Sequence, residues 1–461
     1  MLRGLATILL LAAVAALEAA PRDLSVVRDG VSLQASCGAQ GGGAQLPKGQ
    51  RVRLRFAIAG SDSRCFSVQT ELNGKILRGY VAKKDLAGLE EIEDKRREAS
   101  STQIFSSAID GIRISPPPVQ PRSDTVLVSA ADAPALIEAS KAIDEGRPLE
   151  VDAILDRAGL RKDSREGAIL RAKAFLQLTR ATDALAALEP ALAVHPDDPS
   201  LLALAGISSF QRDQAREALR YLKRSLEIQP NASVEQIYRK IEREQGADNS
   251  NRKTFGTRFT LRYKGEELPV EKARKLTAAF ETEIHRVTQR LGCRFSDRVA
   301  VIVQTLESYR QATGSAEWSG GRYDGRIHIA LPPSGDVDQY VRSAFAHEFT
   351  HACLARMGSW PGWLHEGLAQ HFGGQKLRGD DRQILAELNH NKRLPSLSSL
   401  TGSWARMSTR QAAVAYSLSL AAAQVLYQDF QDHGVRSLLH SPNRLPSVEK
   451  KLDGRLEQTL R

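Results

Sequence analysis

The stretch Ala344-Phe345-Ala346-His347-Glu348-Phe349-Thr350-His351-Ala352-Cys353-Leu354, followed by Pro361-Gly362-Trp363-Leu364-His365-Glu366-Gly367-Leu368-Ala369, decides what kind of domain closes this 461-residue chain. Its first half contains His-Glu-x-x-His. On a helix, positions 347, 348 and 351 share one face, so two imidazoles and a carboxylate point towards one spot. Two such histidines are suited to zinc, and the acid beside the first can reach a water molecule instead of the metal. The opposite face, Phe345, Phe349 and Ala352, is apolar and can anchor the helix in a core. With 10 His in the chain, the pattern arises by chance in on the order of one chain in a hundred. The second half offers a third ligand: Glu366, with His365 and His371 on the same short helix as competitors.

Around this stretch, strands and helices alternate. Residues 255–263 predict a strand. Residues 270–291 predict an amphipathic helix with Leu276, Phe280, Ile284, Val287 and Leu291 on its apolar stripe. The unbroken run at 299–303 predicts a buried strand, and 326–331 predicts another after the Gly-rich bend at 320–325. The metal helix is expected to start near Asp336, a suitable N-cap. A long apolar helix is expected from Gln411 to Phe430 and carries Tyr416.

Upstream, residues 130–245 are helical and repeat with an offset of 34: Ala172 maps to Gly206, Ala184-Leu185 to Ala218-Leu219, Leu188 to Leu222, Leu192 to Leu226 and Pro196 to Pro230. Small residues recur where paired helices must approach closely, and proline recurs where each second helix ends. A less regular copy precedes Arg165. Residues 91–124, charged at first and then rich in Ser and Pro with Pro116-Pro117-Pro118, predict a linker. Residues 22–90 show short alternating runs between Gly-rich turns, which predict a small β-barrel.

The first residues, Met1-Leu2-Arg3, the apolar run from Leu5 to Leu17 and the small residues at 19–20, read as a signal peptide over 1–20. The run is short of the ~20 residues that a bilayer span takes, and no later stretch is longer, so no anchor is expected after cleavage. The expected location is periplasmic or secreted. In an exported chain, four cysteines permit two disulfides. Cys37 with Cys65 is the expected pair, while Cys293 with Cys353 is left open. The net charge is +10 from 64 Lys and Arg against 54 Asp and Glu. The basic residues are scattered among acids with no aromatic-interleaved stripe, which argues against a nucleic-acid partner.

The order strand, His-Glu-x-x-His helix, then Pro-x-Trp-Leu-x-Glu-Gly-Leu-Ala resembles the gluzincin metallopeptidases of the bacterial peptidase MA-like family, over residues 253–461. The resemblance implies one zinc ion per chain, held by His347, His351 and Glu366. It also implies peptide hydrolysis by a zinc-bound water with Glu348 as general base, Tyr416 as a candidate oxyanion donor, and 326–331 as the edge strand that pairs with an extended peptide or protein substrate. The 34-residue period over 125–250 resembles the tetratricopeptide repeat, which implies a groove for a protein partner. Gly79-Tyr80-Val81 resembles the closing segment of bacterial Src-homology-3-like domains, which implies a cell-wall contact for 22–90. The expected fold is therefore multidomain: a small N-terminal β-barrel, a helical-repeat segment and a C-terminal α+β zincin-like metallopeptidase domain. The competing expectation is an envelope scaffold that binds through its repeats and barrel and carries a vestigial zinc domain.

Overall fold

The protein is seen in a computed structural model that describes residues 24–34, 43–56, 65–88, 109, 132–248, 250, 252–313, 321–331, 339–401, 407 and 409–460. The leader at 1–20, Cys37 and with it the Cys37–Cys65 pair, the Asp336 cap and all of 91–124 except Ile109 lie outside the described residues. The chain divides into an N-terminal unit and a larger unit from residue 90 onwards.

The N-terminal unit is antiparallel β-structure. Strands β1 (Leu24–Val26), β4 (Arg51–Phe56), β5 (Cys65–Leu72), β6 (Lys75–Ala82) and β7 (Leu86–Ala87) form a sheet in the order β6-β5-β4-β1-β7, while β2 (Val31–Leu33) pairs with β3 (Ala44–Leu46). Leu24, Val26, Val31, Leu46, Val52, Val68 and Val81 are buried in it, the inward half of each strand's alternation.

The larger unit joins a helical part to an α+β part. The helical part opens with α1 (Ala133–Asp144) and α2 (Pro148–Arg157). Helices α3 (Arg165–Gln177) and α4 (Ala181–Val194) are then repeated by α5 (Pro199–Gln211) and α6 (Ala215–Ile228), every boundary displaced by 34 residues. The local signals repeat too. Ser164 and Asp198 cap α3 and α5 with their side-chain oxygens, each satisfying backbone N–H groups that a helix start leaves open. Thr179 and Asp213 both turn the chain with positive φ. Ala172, Ala184 and Leu188 in one pair, and Ala218 and Leu222 in the next, are fully buried. Helix α7 (Ala232–Ala247) completes this part. Ile109, from the stretch read as linker, is buried in the same core.

The α+β part is built on a five-stranded sheet in the order β11-β12-β10-β9-β8. The single strand expected at 255–263 is a hairpin, β8 (Arg252–Phe255) and β9 (Phe259–Tyr263). Strands β10 (Val299–Thr305) and β12 (Ile327–Leu331) run parallel to β9. The bend at 320–325 contains a short strand, β11 (Gly321–Tyr323), antiparallel to β12. This corrects one expectation. Residues 326–331 are not an edge strand, because β11 covers their outer side, and every residue of β12 is buried.

One face of the sheet carries Phe259, Leu261, Val301, Val303, Ile327 and Ile329 into the main core. Against it lie α8 (Val270–Leu291), whose five predicted apolar positions are all buried, and α10 (Gln339–Met357), which carries the His-Glu-x-x-His residues; α9 (Leu306–Thr313) lies between β10 and β11 in sequence. Phe345 stacks on Phe280 at 3.9 Å between ring centroids and lies 5.8 Å from Phe349. Each such ring contributes about 1.5–3 kcal/mol by leaving water, so α10 is held by its apolar face as its sequence predicts. Helices α11 (Gly362–Phe372), α12 (Gly379–His390), α13 (Thr409–Leu439) and α14 (Leu445–Thr459) complete the part. Helix α13 is broken at Gln431, where φ is 52°, one residue beyond the end expected from the sequence.

Cys293, just after α8, and Cys353, on α10, form a disulfide with Cα atoms 5.5 Å apart. It ties α10 to the C-terminal end of α8 across a separation of 60 residues. A loop of that size predicts a loss of about 4 kcal/mol when the bridge is removed. A Cys293→Ala/Cys353→Ala variant should therefore melt well below the wild type, and reductant should lower the wild-type melting temperature by more than that of the variant. Equal melting temperatures would contradict a stabilising bridge.

Candidate metal centre

Helix α10 presents His347, Glu348 and His351, and α11 presents Glu366 across from them. The imidazole Nε2 atoms of His347 and His351 are 3.2 Å apart. Glu366 Oε2 is 3.7 Å from His347 Nε2, and Glu366 Oε1 is 3.7 Å from His351 Nε2. Zinc bonds of ~2.0–2.1 Å at tetrahedral angles place ligand atoms about 3.3 Å apart. These three donors therefore fit one zinc ion with small side-chain adjustments, and a fourth position remains for water or substrate. His351 is held neutral, its pKa well below the usual histidine range, first by burial and then by His347 and His365. Neutral imidazole is the form that binds metal.

Glu366 reaches this position because α11 is fixed on its other sides. Trp363 is fully buried, and its indole Nε1 donates to Glu449 Oε1 on α14 at 2.7 Å. Gly367 touches α13 so closely that a Cβ would lie 2.3 Å from the Ser419 carbonyl oxygen, so only glycine allows this approach. These contacts give physical reasons for the Trp and Gly on either side of the acid.

Glu348 is buried, at 4% exposure. Its carboxylate lies against the edge strand: a Cβ on Gly321 would be 2.9 Å from Glu348 Oε1. The acid thus sits in the seam between α10 and β11, beside the two imidazoles.

His365, weighed from the sequence only as a competing third ligand, instead places its Nδ1 3.4 Å from His351 Nδ1. Burial pushes the His365 pKa down to about 4, so it is a neutral ring able to accept from the back of His351. Metal-binding histidines commonly give their second N–H to such a partner, which fixes tautomer and orientation. The contact runs between two helices, so helical periodicity could not reveal it. His371, the other competitor, is elsewhere: it stacks on Tyr427 at 4.4 Å. Its pKa is pushed down to about 4 by burial and then by Arg290 and Arg286. Tyr416 is half-buried on α13, and its main-chain carbonyl accepts from Gln370 Nε2, which also donates to the Glu366 carbonyl, each at 3.1 Å.

No family model, curated protein or solved structure matches the chain.

Among the described residues, one other group has metal-binding spacing: Glu244, Asp324 and His328. Its chemistry differs. Lys240 Nζ is 2.7 Å from Asp324 Oδ2 and is also paired with Glu244, which Arg326 engages as well. Two carboxylates already neutralised by two cations are a poor cation site. His328 is only 2% exposed and lies in this group, on the sheet face opposite α10.

Proposed function

We propose that this chain is an exported zinc-dependent metallopeptidase of the gluzincin kind. In this reading the α+β part is zincin-like, the helical part is tetratricopeptide-like and the N-terminal unit is a bacterial Src-homology-3-like barrel. The observation that carries the reading is the convergence of His347, His351 and Glu366 beside the buried carboxylate of Glu348. Zinc, when bound, supplies Lewis acidity and makes a water acidic enough to ionise near neutral pH. His347, His351 and Glu366 hold the ion, and His365 orients the His351 ring. Glu348 takes a proton from the attacking water and returns it to the leaving amine. Tyr416 is the proposed donor to the oxyanion, and β11, as the outer strand beside Glu348, is the proposed rail for an extended peptide.

Export is supported by the Cys293–Cys353 bridge, since disulfides persist in oxidising compartments. No helix among the described residues is long and apolar enough to cross a membrane. The purified chain should carry one zinc ion and cleave unstructured protein such as casein. Chelation should stop cleavage and added zinc restore it. A chain that binds no zinc at neutral pH would refute the reading.

A further inference from the structure

The sheet face opposite α10 carries an unusual concentration of buried charge. Lys240 and Glu244 of α7, with Asp324, Arg326 and His328 of the β11–β12 hairpin, are each no more than 4% exposed. Lys240 Nζ meets Asp324 Oδ2 at 2.7 Å, and Arg326 pairs with Glu244. The Arg326 guanidinium lies 3.7 Å from the centre of the Phe210 ring on α5, and Lys240 Nζ lies 4.9 Å from it. The Gln211 side chain lies against the hairpin turn at Gly325. Burial alone would raise the Asp324 carboxyl, yet Lys240, Arg326 and His328 hold it well below the carboxylate range.

Buried ion pairs add little net stability compared with apolar packing, but they tolerate only one arrangement. Here the arrangement defines the hairpin. Asp324 directly follows β11, whose first residue, Gly321, abuts the Glu348 carboxylate. A three-residue strand spans ~10 Å, so a shift at Asp324 has little length in which to be absorbed before it reaches Glu348.

We propose that Lys240 and Glu244, on the last helix of the helical part, are positioning residues for the candidate active site: they grip Asp324 and Arg326 and so set β11 against Glu348. The helical part is then an integral wall of the hydrolase and not a detachable spacer. The kinetic consequence rests on the metallopeptidase reading, whereas the structural one does not.

The test uses the full chain with Lys240→Met, and with the isosteric Asp324→Asn in case the first variant does not fold. Amide exchange should speed up at least about tenfold across residues 321–331, with little change in α8 and α10 and with zinc content unaltered. Turnover should fall on the order of a hundredfold through kcat, the cost of a misplacement near 1 Å. Unchanged exchange at 321–331 would overturn the proposal, as would acceleration spread evenly over α8, α10 and the sheet, which marks a merely structural role. Faster hairpin exchange with unchanged kcat would overturn the positioning of Glu348. If the wild type binds zinc but cleaves nothing, the metallopeptidase reading fails, and the exchange pattern still decides whether α7 sets the hairpin.

Discussion

Glu348→Gln is expected to keep its zinc and lose its turnover, by roughly 10²–10⁴-fold if the carboxylate is the general base. The amide has nearly the volume of the acid, so the tight contact with Gly321 on β11 is preserved and the melting temperature should barely move. What changes is proton affinity: an amide cannot take the proton of the attacking water. Because the position is only 4% exposed, bulk water has little room to substitute for the lost base. The measurement is zinc per chain together with casein cleavage for both proteins. Hydrolysis at the wild-type rate would remove Glu348 from the mechanism, and loss of zinc would mean that the carboxylate supports the ion instead of the water.

Metal affinity should fall in a graded way across α11. Glu366→Ala removes one of the three converging donors and should weaken zinc by more than the roughly 10–100-fold that loss of an outer partner costs. His365→Phe keeps an aromatic ring beside His351 but removes the acceptor, so its loss should lie within that 10–100-fold range. His371→Phe should leave zinc unchanged, because that ring stacks on Tyr427 away from the cluster. Competition against a chromogenic chelator reads all three. If His371→Phe released zinc and Glu366→Ala did not, the donor set drawn here would be wrong.

Much of the α+β part was legible from periodicity. The stripe of α8 and the unbroken run of β10 predicted which residues pack inward, because one buried face leaves a period that survives in a single sequence. The 34-residue offset predicted paired helices, and the boundaries of α3 to α6 follow it residue for residue. The edge of the sheet was not legible. A three-residue strand such as β11 is too short for any period, and its glycine and turn residues read as a bend. Whether β12 is an edge depends on what lies beside it, not on its own residues. Lys240 and Glu244, four residues apart on α7, carry no sequence signal that sets them apart from other charged helix residues. They are buried only because Asp324 and Arg326, more than 80 residues away, come to meet them.

The same division runs through the candidate metal centre. By itself the sequence determined that His347, Glu348 and His351 share one face, since 3.6 residues per turn place them side by side on any helix that forms there. Which donor from α11 completes the set was a question of how that helix is rotated about its axis. Only the tertiary structure decided it. The Trp363 bond to Glu449 spans 86 residues, and the close approach of Gly367 to Ser419 leaves α11 one seating, which turns Glu366 towards the two imidazoles, His365 behind one of them and His371 away.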